Sequence, residues 1–383
     1  HVLAGIVWIG SSFYFIALDL GLRRGGPMPA GVSGEEWQVH GGGFYHVQKY
    51  QVAPEGMPEH LTWFMWESYT TWLTGAALLA VFYWAQAELY LIDPSVADLT
   101  TLQAILISAG SIVFGWIAYD WLCKSRFGED NTRLMILLWV LLVVMAWGYT
   151  QVFTGRAALL HLGAFTATIM SANVFFIIIP NQRIVVADLK AGRTPDAKYG
   201  VIAKQRSTHN NYLTLPVVFL MLSNHYPLAF ATEYNWAIAG LIFLVGVLIR
   251  HYFNSVHAKK GEPHWTWAAA FVLMVAIAWL STEPGVEREA VAPARFTEAP
   301  GFAAAADAVT TRCAVCHAVE PAWPTLHWPP KGVVLETPED VARHAHGVYL
   351  QSGVSHAMPP ANLSNMEPEE RALIVAWYRA ATR

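Results

Sequence analysis

The chain has 383 residues, of which 55% are hydrophobic and only 14% are charged, whereas ordinary soluble domains carry about 25% charged residues. Its formal net charge is −4, so there is no basic excess to bind nucleic acid. This composition excludes disordered, collagen-like and disulfide-stabilised secreted proteins. It indicates a protein that lies mostly in a membrane and contacts lipid.

Eight stretches are apolar and long enough to cross a bilayer as helices, which takes roughly 20 residues each. They are residues 1–18, 61–84, 100–119, 134–153, 157–182, 210–231, 234–249 and 265–282. The first begins at His1 without a Met, so we expect residues before it to be missing or processed. Residues 1–282 are thus predicted to form one transmembrane helical domain. Residues 283–300 read as a Pro- and Ala-rich linker and 301–383 as a small soluble domain.

Basic residues predict the orientation of the spans. The four loops that follow spans one, three, five and seven carry 15 Lys and Arg residues, and the three intervening loops carry only Arg156. Short loops rich in Lys and Arg stay in the cytoplasm. Both ends of the membrane domain, and with them residues 301–383, are therefore expected outside the cytoplasm.

Two of the three cysteines lie in a Cys-x-x-Cys-His motif, Cys313 to His317, which is the attachment signature of haem c. The two thiols, Cys313 and Cys316, would bond to the haem and His317 would bind its iron; a buried or disulfide-linked pair is the alternative. Met358 is predicted as the second axial ligand, because Met/His ligation suits an electron carrier. The other candidates are His327, His344, His346, His356 and Met366.

Helices are predicted on both sides of these ligands. Residues 302–312 are Ala-rich and helical, and a second helix should begin at Pro368 with Leu373, Ile374 and Trp377 along one side. This is the outline of a small, all-α, class I-like monohaem cytochrome c domain. The expected fold of the chain is therefore all-α, a polytopic membrane helix bundle of about eight spans followed by that domain.

Histidines of the membrane domain form two layers once the orientation is applied. His1, His161 and His225 should lie near the outer ends of their spans, and His209 and His251 near the inner ends. Ionisable groups in a membrane are functional candidates, so pairs from these layers could bind haem b. The alternative is that each ring is hydrogen-bonded to a backbone carbonyl or a lipid headgroup.

Polar residues also gather at the inner ends of the spans. Asp19, Glu67, Asp120 and His209 are candidate catalytic acids and bases. The candidate substrate-binding residues are Asn210, Asn211, Arg250, Phe44, Tyr45 and His46. The last three belong to a loop that is too Gly-rich for a helix and is not a phosphate loop. The alternative is that the acids at helix ends simply reach water.

Three strings, residues 1–13, 41–50 and 209–216, resemble bacterial membrane-bound urate oxidases (urate hydroxylases), and they precede the Cys-x-x-Cys-His motif in the same order. The resemblance covers essentially the whole chain; it departs at Glu367, where a Thr is usual before Pro368. It implies an inner-membrane protein with a periplasmic cytochrome c domain. It also implies oxidation of urate to 5-hydroxyisourate without hydrogen peroxide, electrons passing through haem c to a downstream cytochrome c or terminal oxidase.

The residues are compatible with that chemistry. Asn and Arg side chains can bind the edge of a purine anion, an aromatic ring can stack on its face, and a carboxylate or His can accept its proton. Haem b would carry electrons across the roughly 30 Å of hydrocarbon. The alternatives are a non-enzymatic relay of haem b and haem c that takes electrons from quinol, and a porphyrinogen-oxidising protein, which the Trp8-x-Gly10 opening also resembles. No flavin or dinucleotide fingerprint is visible.

Overall fold

The computed structural model describes residues 1–50, 58–92, 96–226, 229, 232, 234–282, 293–324, 326 and 329–382. The helices among the first 282 residues are α1 (Val2–Gly21), α2 (Trp66–Leu79), α3 (Ala87–Tyr90), α4 (Thr101–Lys124), α5 (Asn131–Thr150), α6 (Gly155–Ala172), α7 (Ile179–Lys190), α8 (Ala197–Leu222), α9 (Asn235–His257) and α10 (Trp265–Thr282). Shorter helical turns lie at Ala80–Trp84, Arg126–Glu129, Asn173–Ile178 and Ser223–His225. The protein is predominantly helical, as predicted.

Each of the eight predicted spans contains a helix. Five described helical segments are long and apolar enough to cross a membrane: Val2–Gly21, Thr101–Lys124, Asn131–Thr150, Gly155–Lys190 and Asn235–His257. These segments are compatible with a membrane protein. The boundaries differ most at α8, which begins at Ala197 although the apolar stretch begins at residue 210. Asp196 caps this polar first half by accepting a hydrogen bond from the Lys198 amide (2.9 Å), as helix N-caps do.

Helices α6 and α8 lie at the centre of the bundle. A widened π-helical turn, Asn173–Ile178, joins α6 to α7 and ends two residues before Pro180. Proline lacks an N–H, and its ring clashes with the carbonyl four residues earlier in a regular α-helix, so the helix widens there. π-helical turns of this kind are frequent at functional sites.

Helices α8 and α9 approach each other closely. An added Cβ at Gly246 of α9 would lie 2.5 Å from the Pro216 ring of α8, so only glycine permits this crossing. The approach brings the next turn of α9, which carries Arg250, against Asn211 of α8. A local packing requirement therefore positions two of the predicted substrate-binding residues.

The loop after α1 is a β-hairpin, which the all-α prediction did not include. Its strands are β1 (Val32–His40) and β2 (Gly43–Tyr50). Gly41 and Gly42 connect them with φ values of +59° and +80°, as a tight two-residue turn requires. The hairpin is fixed to α1 because Asp19 pairs with Lys49 and the Tyr14 hydroxyl donates to Gln38 Oε1 (2.6 Å). We call this end of the bundle the hairpin end.

The C-terminal region is helical. Its helices are α11 (Pro293–Thr297), α12 (Phe302–His317), α13 (Pro338–Arg343), α14 (Ala345–Val348) and α15 (Pro368–Thr382), with shorter turns at Pro330–Gly332, Tyr349–Val354 and Pro360–Asn362. The predicted helices at residue 302 and from Pro368 are both present. They pack against each other through Phe302 and the fully buried Trp377, whose ring centroids are 5.6 Å apart.

Candidate functional site

A buried hydrogen-bonded network lies between α4, α6 and α8. Its members are Tyr119, Asp120, Asn173, Arg206, His209 and Asn210, and we call it the polar core. Arg206, His209 and Asn210 share one side of α8 because they are three and four residues apart. The Tyr119 hydroxyl lies 2.7 Å from His209 Nδ1. The Asn173 amide donates to that hydroxyl (3.1 Å) and to Asn210 Oδ1 (2.9 Å).

Arg206 is the charged centre of the polar core and is only 2% exposed. It pairs with Asp120 at 2.7 Å, and Asp120 also pairs with Lys124 at 2.6 Å. The guanidinium lies 4.9 Å from the centre of the Tyr119 ring. The positive charge of Arg206 is therefore compensated, and the network connects buried His209 to the more exposed Lys124.

One nitrogen of His209 has no partner. Its Nε2 is buried and makes no hydrogen bond to any described residue, whereas Nδ1 contacts the Tyr119 hydroxyl. Buried polar atoms are nearly always hydrogen-bonded, so this nitrogen is available for a ligand, a water molecule or a proton. A hydroxyl can either donate to Nδ1 or accept from it. His209 can therefore present Nε2 with or without a proton.

A second cluster lies on the opposite side of α8. Arg250 Nε donates to Asn211 Oδ1 (3.3 Å), Arg250 Nη2 donates to Asn254 Oδ1 (3.0 Å), and Asn254 Nδ2 donates to Asn211 Oδ1 (3.0 Å). The guanidinium lies 4.0 Å from the centre of the Phe13 ring. We call these four residues the Arg250 cluster. The Asn211 amide nitrogen is buried and has no partner among the described residues.

The Arg250 charge is not neutralised within the described part of the chain. Arg250 is 5% exposed, and the partners of its side chain are two neutral amides and an aromatic ring. No carboxylate of the described residues lies within ion-pair distance of it, in contrast to Arg206. An unpaired buried charge is strongly unfavourable. The cluster is therefore suited to a bound anion.

The other candidate residues lie apart from these two clusters. Glu67 is in the first turn of α2, and its Oε2 is buried without a partner among the described residues. Asp19 is paired with Lys49. Phe44 and Tyr45 are 75% and 54% exposed on β2. His46 lies 2.7 Å from Glu35 and stacks on Trp37. The structure thus brings His209, Asn210 and Asp120 together and joins Asn211 to Arg250, whereas the hairpin residues face elsewhere.

The five candidate haem b histidines have different surroundings. His161 is fully buried; its Nδ1 donates to Ala157 O and its Nε2 accepts from Ser108, both at 2.8 Å. His1 lies beside Thr71 and Gly75, level with the middle of α2. His225 and His251 are exposed. No hydrogen bond or ring contact joins any two of these described histidines. The binding of haem b by pairs of these histidines therefore remains a prediction.

The Cys-x-x-Cys-His motif forms the last turns of α12. Cys313 and Cys316 are free thiols rather than a disulfide, and burial raises the pKa of Cys313 to about 12. With His317 they share one side of the helix. His317 Nδ1 donates to Val333 O (2.8 Å), and because a carbonyl only accepts, the lone pair lies on Nε2. Histidines that bind metals are held in this way, so these residues fit haem c.

Met358 lies in a loop that the C-terminal helix holds in place. Arg371 of α15 donates to Met358 O (2.9 Å) and to Ser352 O (2.6 Å). Of the rival axial ligands, His346 lies 2.8 Å from the Tyr378 hydroxyl and Met366 is 2% exposed in the core. His327 lies outside the described residues.

Sequence reasoning missed five residues of the two clusters, namely Phe13, Tyr119, Asn173, Arg206 and Asn254. The apolar stretches place residue 206 in the basic loop between the fifth and sixth spans, which is wrong because α8 begins at Ala197 and buries Arg206. Arg206 lies three residues before His209, and this spacing could have indicated that both side chains lie on one side of a helix. Asn254 follows Arg250 by four residues and could have been found by the same helical spacing.

Comparison with known proteins identifies one family. The family model described as "Urate oxidase N-terminal" matches residues 1–281. No curated protein and no solved structure matches the chain. The matched region contains the polar core and the Arg250 cluster, and it ends before the Cys-x-x-Cys-His motif.

Proposed function

Because the chain belongs to the urate oxidase N-terminal family, we propose that it is a membrane-bound oxidoreductase that converts urate to 5-hydroxyisourate and passes the electrons to haem c on its C-terminal domain. Family membership indicates urate-related oxidation. The Cys-x-x-Cys-His motif and the orientation of His317 support the electron acceptor. The five long apolar segments and the unequal distribution of Lys and Arg support a multi-pass inner-membrane protein with its hairpin end in the cytoplasm.

The proposed reaction balances without oxygen as the oxidant. Urate and one water molecule give 5-hydroxyisourate, two protons and two electrons. The new bond joins the water oxygen to C5 of the purine. Haem c, when bound, accepts one electron at a time and passes it to a downstream cytochrome c or terminal oxidase. Each urate therefore requires two successive electron transfers, and no hydrogen peroxide is formed.

The uncompensated charge of Arg250 is the observation that carries the proposal. Urate is a planar monoanion at neutral pH, with oxygen acceptors and N–H donors along its edge. The Arg250 guanidinium can neutralise it, the Asn211 amide nitrogen can donate to an oxygen, and the Phe13 ring provides an apolar surface beside the plane. The purine ring thus fits the chemistry of the Arg250 cluster better than it fits the compensated polar core.

Two groups outside the Arg250 cluster can take up protons that are passed on from the reacting urate and water. His209 Nε2 and Glu67 Oε2 are both buried and have no partner among the described residues. His209 also belongs to the network that leads through Arg206 and Asp120 to Lys124. We assign His209 and Glu67 to proton transfer, and Tyr119 and Asn210 to the positioning of this network.

Addition of urate to the purified, oxidised protein under anaerobic conditions should reduce haem c. One urate should reduce the haem of two chains, and no hydrogen peroxide should form when oxygen is readmitted. The measurement is the absorption spectrum of the haem against urate added, with a quinol as the control donor. If the haem is reduced by quinol and urate has no effect, the protein is an electron relay and the enzymatic proposal is wrong.

Replacement of Met358 by Leu should lower the reduction potential of haem c and remove the sulfur-to-iron charge-transfer band, because Met ligation raises the potential. Met366→Leu is the matched control. The two side chains have similar volumes, and Met366→Leu should leave the band and the potential unchanged. A Met358→Leu protein with an intact band would transfer the role of axial ligand to another methionine such as Met366, whereas a wild type without the band would assign it to a histidine.

A further inference from the structure

A surface pocket of about 470 Å³ lies at the hairpin end, between α1, β1 and the end of α9. Its volume is within the range of small-molecule sites. The side chains that matter here are Tyr14, Arg23, Glu36, Trp37, His257 and Lys259. None of them belongs to the polar core or the Arg250 cluster. We call this site the hairpin pocket.

The charges of the hairpin pocket favour a small anion that also carries N–H groups. Two cations, Arg23 and Lys259, line the pocket together with one carboxylate, Glu36. Lys259 Nζ donates to Gly21 O (3.3 Å) at its edge. Glu36 Oε2 and His257 Nδ1 are buried atoms with no partner among the described residues. The cations can bind the anionic oxygen of a ligand, and the carboxylate can accept one of its N–H groups.

The ring of Tyr14 gives the site an aromatic wall. Tyr14 lies on the side of α1 that lines the pocket, and its hydroxyl donates to Gln38 Oε1 (2.6 Å). Aromatic rings held in this way are surfaces on which flat heterocycles stack. The indole of Trp37 stacks on His46, with ring centroids 4.2 Å apart, on the strand face opposite to Glu36. Gly21 permits the approach of Glu36, because an added Cβ would lie 3.1 Å from Glu36 Oε2.

The hairpin pocket and the Arg250 cluster are built on the same two helices, α1 and α9. Arg250, Asn254 and His257 occupy positions i, i+4 and i+7 of α9 and so lie on one side of that helix. His257 is about 10 Å along the helix from Arg250. On α1, Phe13 of the cluster directly precedes Tyr14 of the pocket. The same two helices therefore carry both sites.

We propose that the hairpin pocket is a second binding site, specific for planar heterocyclic anions of the urate class, and that it captures the substrate before transfer to the Arg250 cluster. This inference rests on the proposed function for the identity of the ligand. It assigns Arg23, Glu36, His257 and Lys259 to substrate capture, a role distinct from oxidation.

In the first test, Arg250 is replaced so that the urate binding that remains can be assigned to the hairpin pocket. In the full-length Arg250→Met protein, with its haem reduced beforehand so that urate cannot be consumed, radiolabelled urate should still bind weakly. Adding Lys259→Met should weaken this residual binding at least about tenfold, as expected for loss of a charged hydrogen bond. Adding Lys260→Met, the matched control outside the pocket, should not. Inorganic phosphate in excess should not displace the urate.

Kinetics provide the second readout. With Arg250 intact, Lys259→Met and Arg23→Met should raise KM for urate several-fold and leave kcat nearly unchanged, while Lys260→Met and Arg24→Met change neither. The pocket proposal is overturned if Arg250→Met binds no urate, if Lys259→Met leaves the residual binding intact, or if phosphate displaces it. Failure of the wild type to oxidise urate would instead overturn the proposed function, and Lys259-dependent binding would still support the pocket.

Discussion

Replacing Arg250 with Met should reduce urate-dependent haem reduction about 10²- to 10³-fold, without destabilising the protein. The loss in turnover follows from removal of a buried charge-assisted contact to an anion, worth about 3–4 kcal/mol. We expect the stability to be unchanged because the partners of the Arg250 side chain are neutral, so no ion pair is lost. Without substrate this charge is unfavourable, so its removal should leave the melting temperature equal or higher.

Thermal melting with and without urate distinguishes this outcome from simple misfolding. A ligand present at about 100 times its Kd stabilises a protein by about 2.7 kcal/mol, so urate should raise the melting temperature of the wild type. Arg250→Met should lose most of that increase. Arg133→Met, at a side chain that is 75% exposed, should behave as the wild type. If Arg250→Met retains the full stabilisation by urate, the anion binds elsewhere.

Replacing His209 with Gln should lower kcat about 10²- to 10⁴-fold, the usual contribution of general acid–base catalysis. Gln can still contact the Tyr119 hydroxyl, but it cannot accept a proton at neutral pH. The expected result is a low rate of urate-dependent haem reduction with urate binding and the haem c spectrum both retained. Glu67→Gln should give the same pattern if Glu67 accepts the second proton.

The control for these variants is His264→Gln, in an exposed loop where the ring is 70% accessible; it should leave kcat unchanged. The pH dependence of kcat is the second measurement. Loss of a titrating base should remove the rise of kcat with pH that the wild type shows at low pH. A His209→Gln protein with normal kcat and an unchanged pH profile would leave proton transfer to Glu67 alone.

The positions of the helices and of the Cys-x-x-Cys-His motif could be predicted from the sequence, because both depend on local information. A span needs about 20 apolar residues in a row, and all eight such stretches contain helices. The signature at Cys313, Cys316 and His317 requires only a fixed spacing on one helix. The carbonyl of Val333 that orients His317 is 16 residues away, and no local pattern indicated it.

The division of the polar residues of α8 between two sites was decided by the tertiary structure. His209, Asn210 and Asn211 are consecutive, and the sequence suggested a single site. A helix turns by about 100° per residue, so the first two face α4 and α6, whereas Asn211 faces α9.

The tertiary structure also decided which of the two buried arginines, Arg206 or Arg250, has a carboxylate beside it. Asp120 neutralises Arg206 from another helix, 86 residues away in the chain, whereas Arg250 meets only amides and an aromatic ring within the described residues. Neither difference could be predicted from composition or spacing, because the cost of a buried charge depends on what lies within a few ångströms of it. The sequence by itself therefore determined which residues were available for chemistry. Only the packing of α1, α8 and α9 determined that Arg250 is buried without a carboxylate beside it among the described residues.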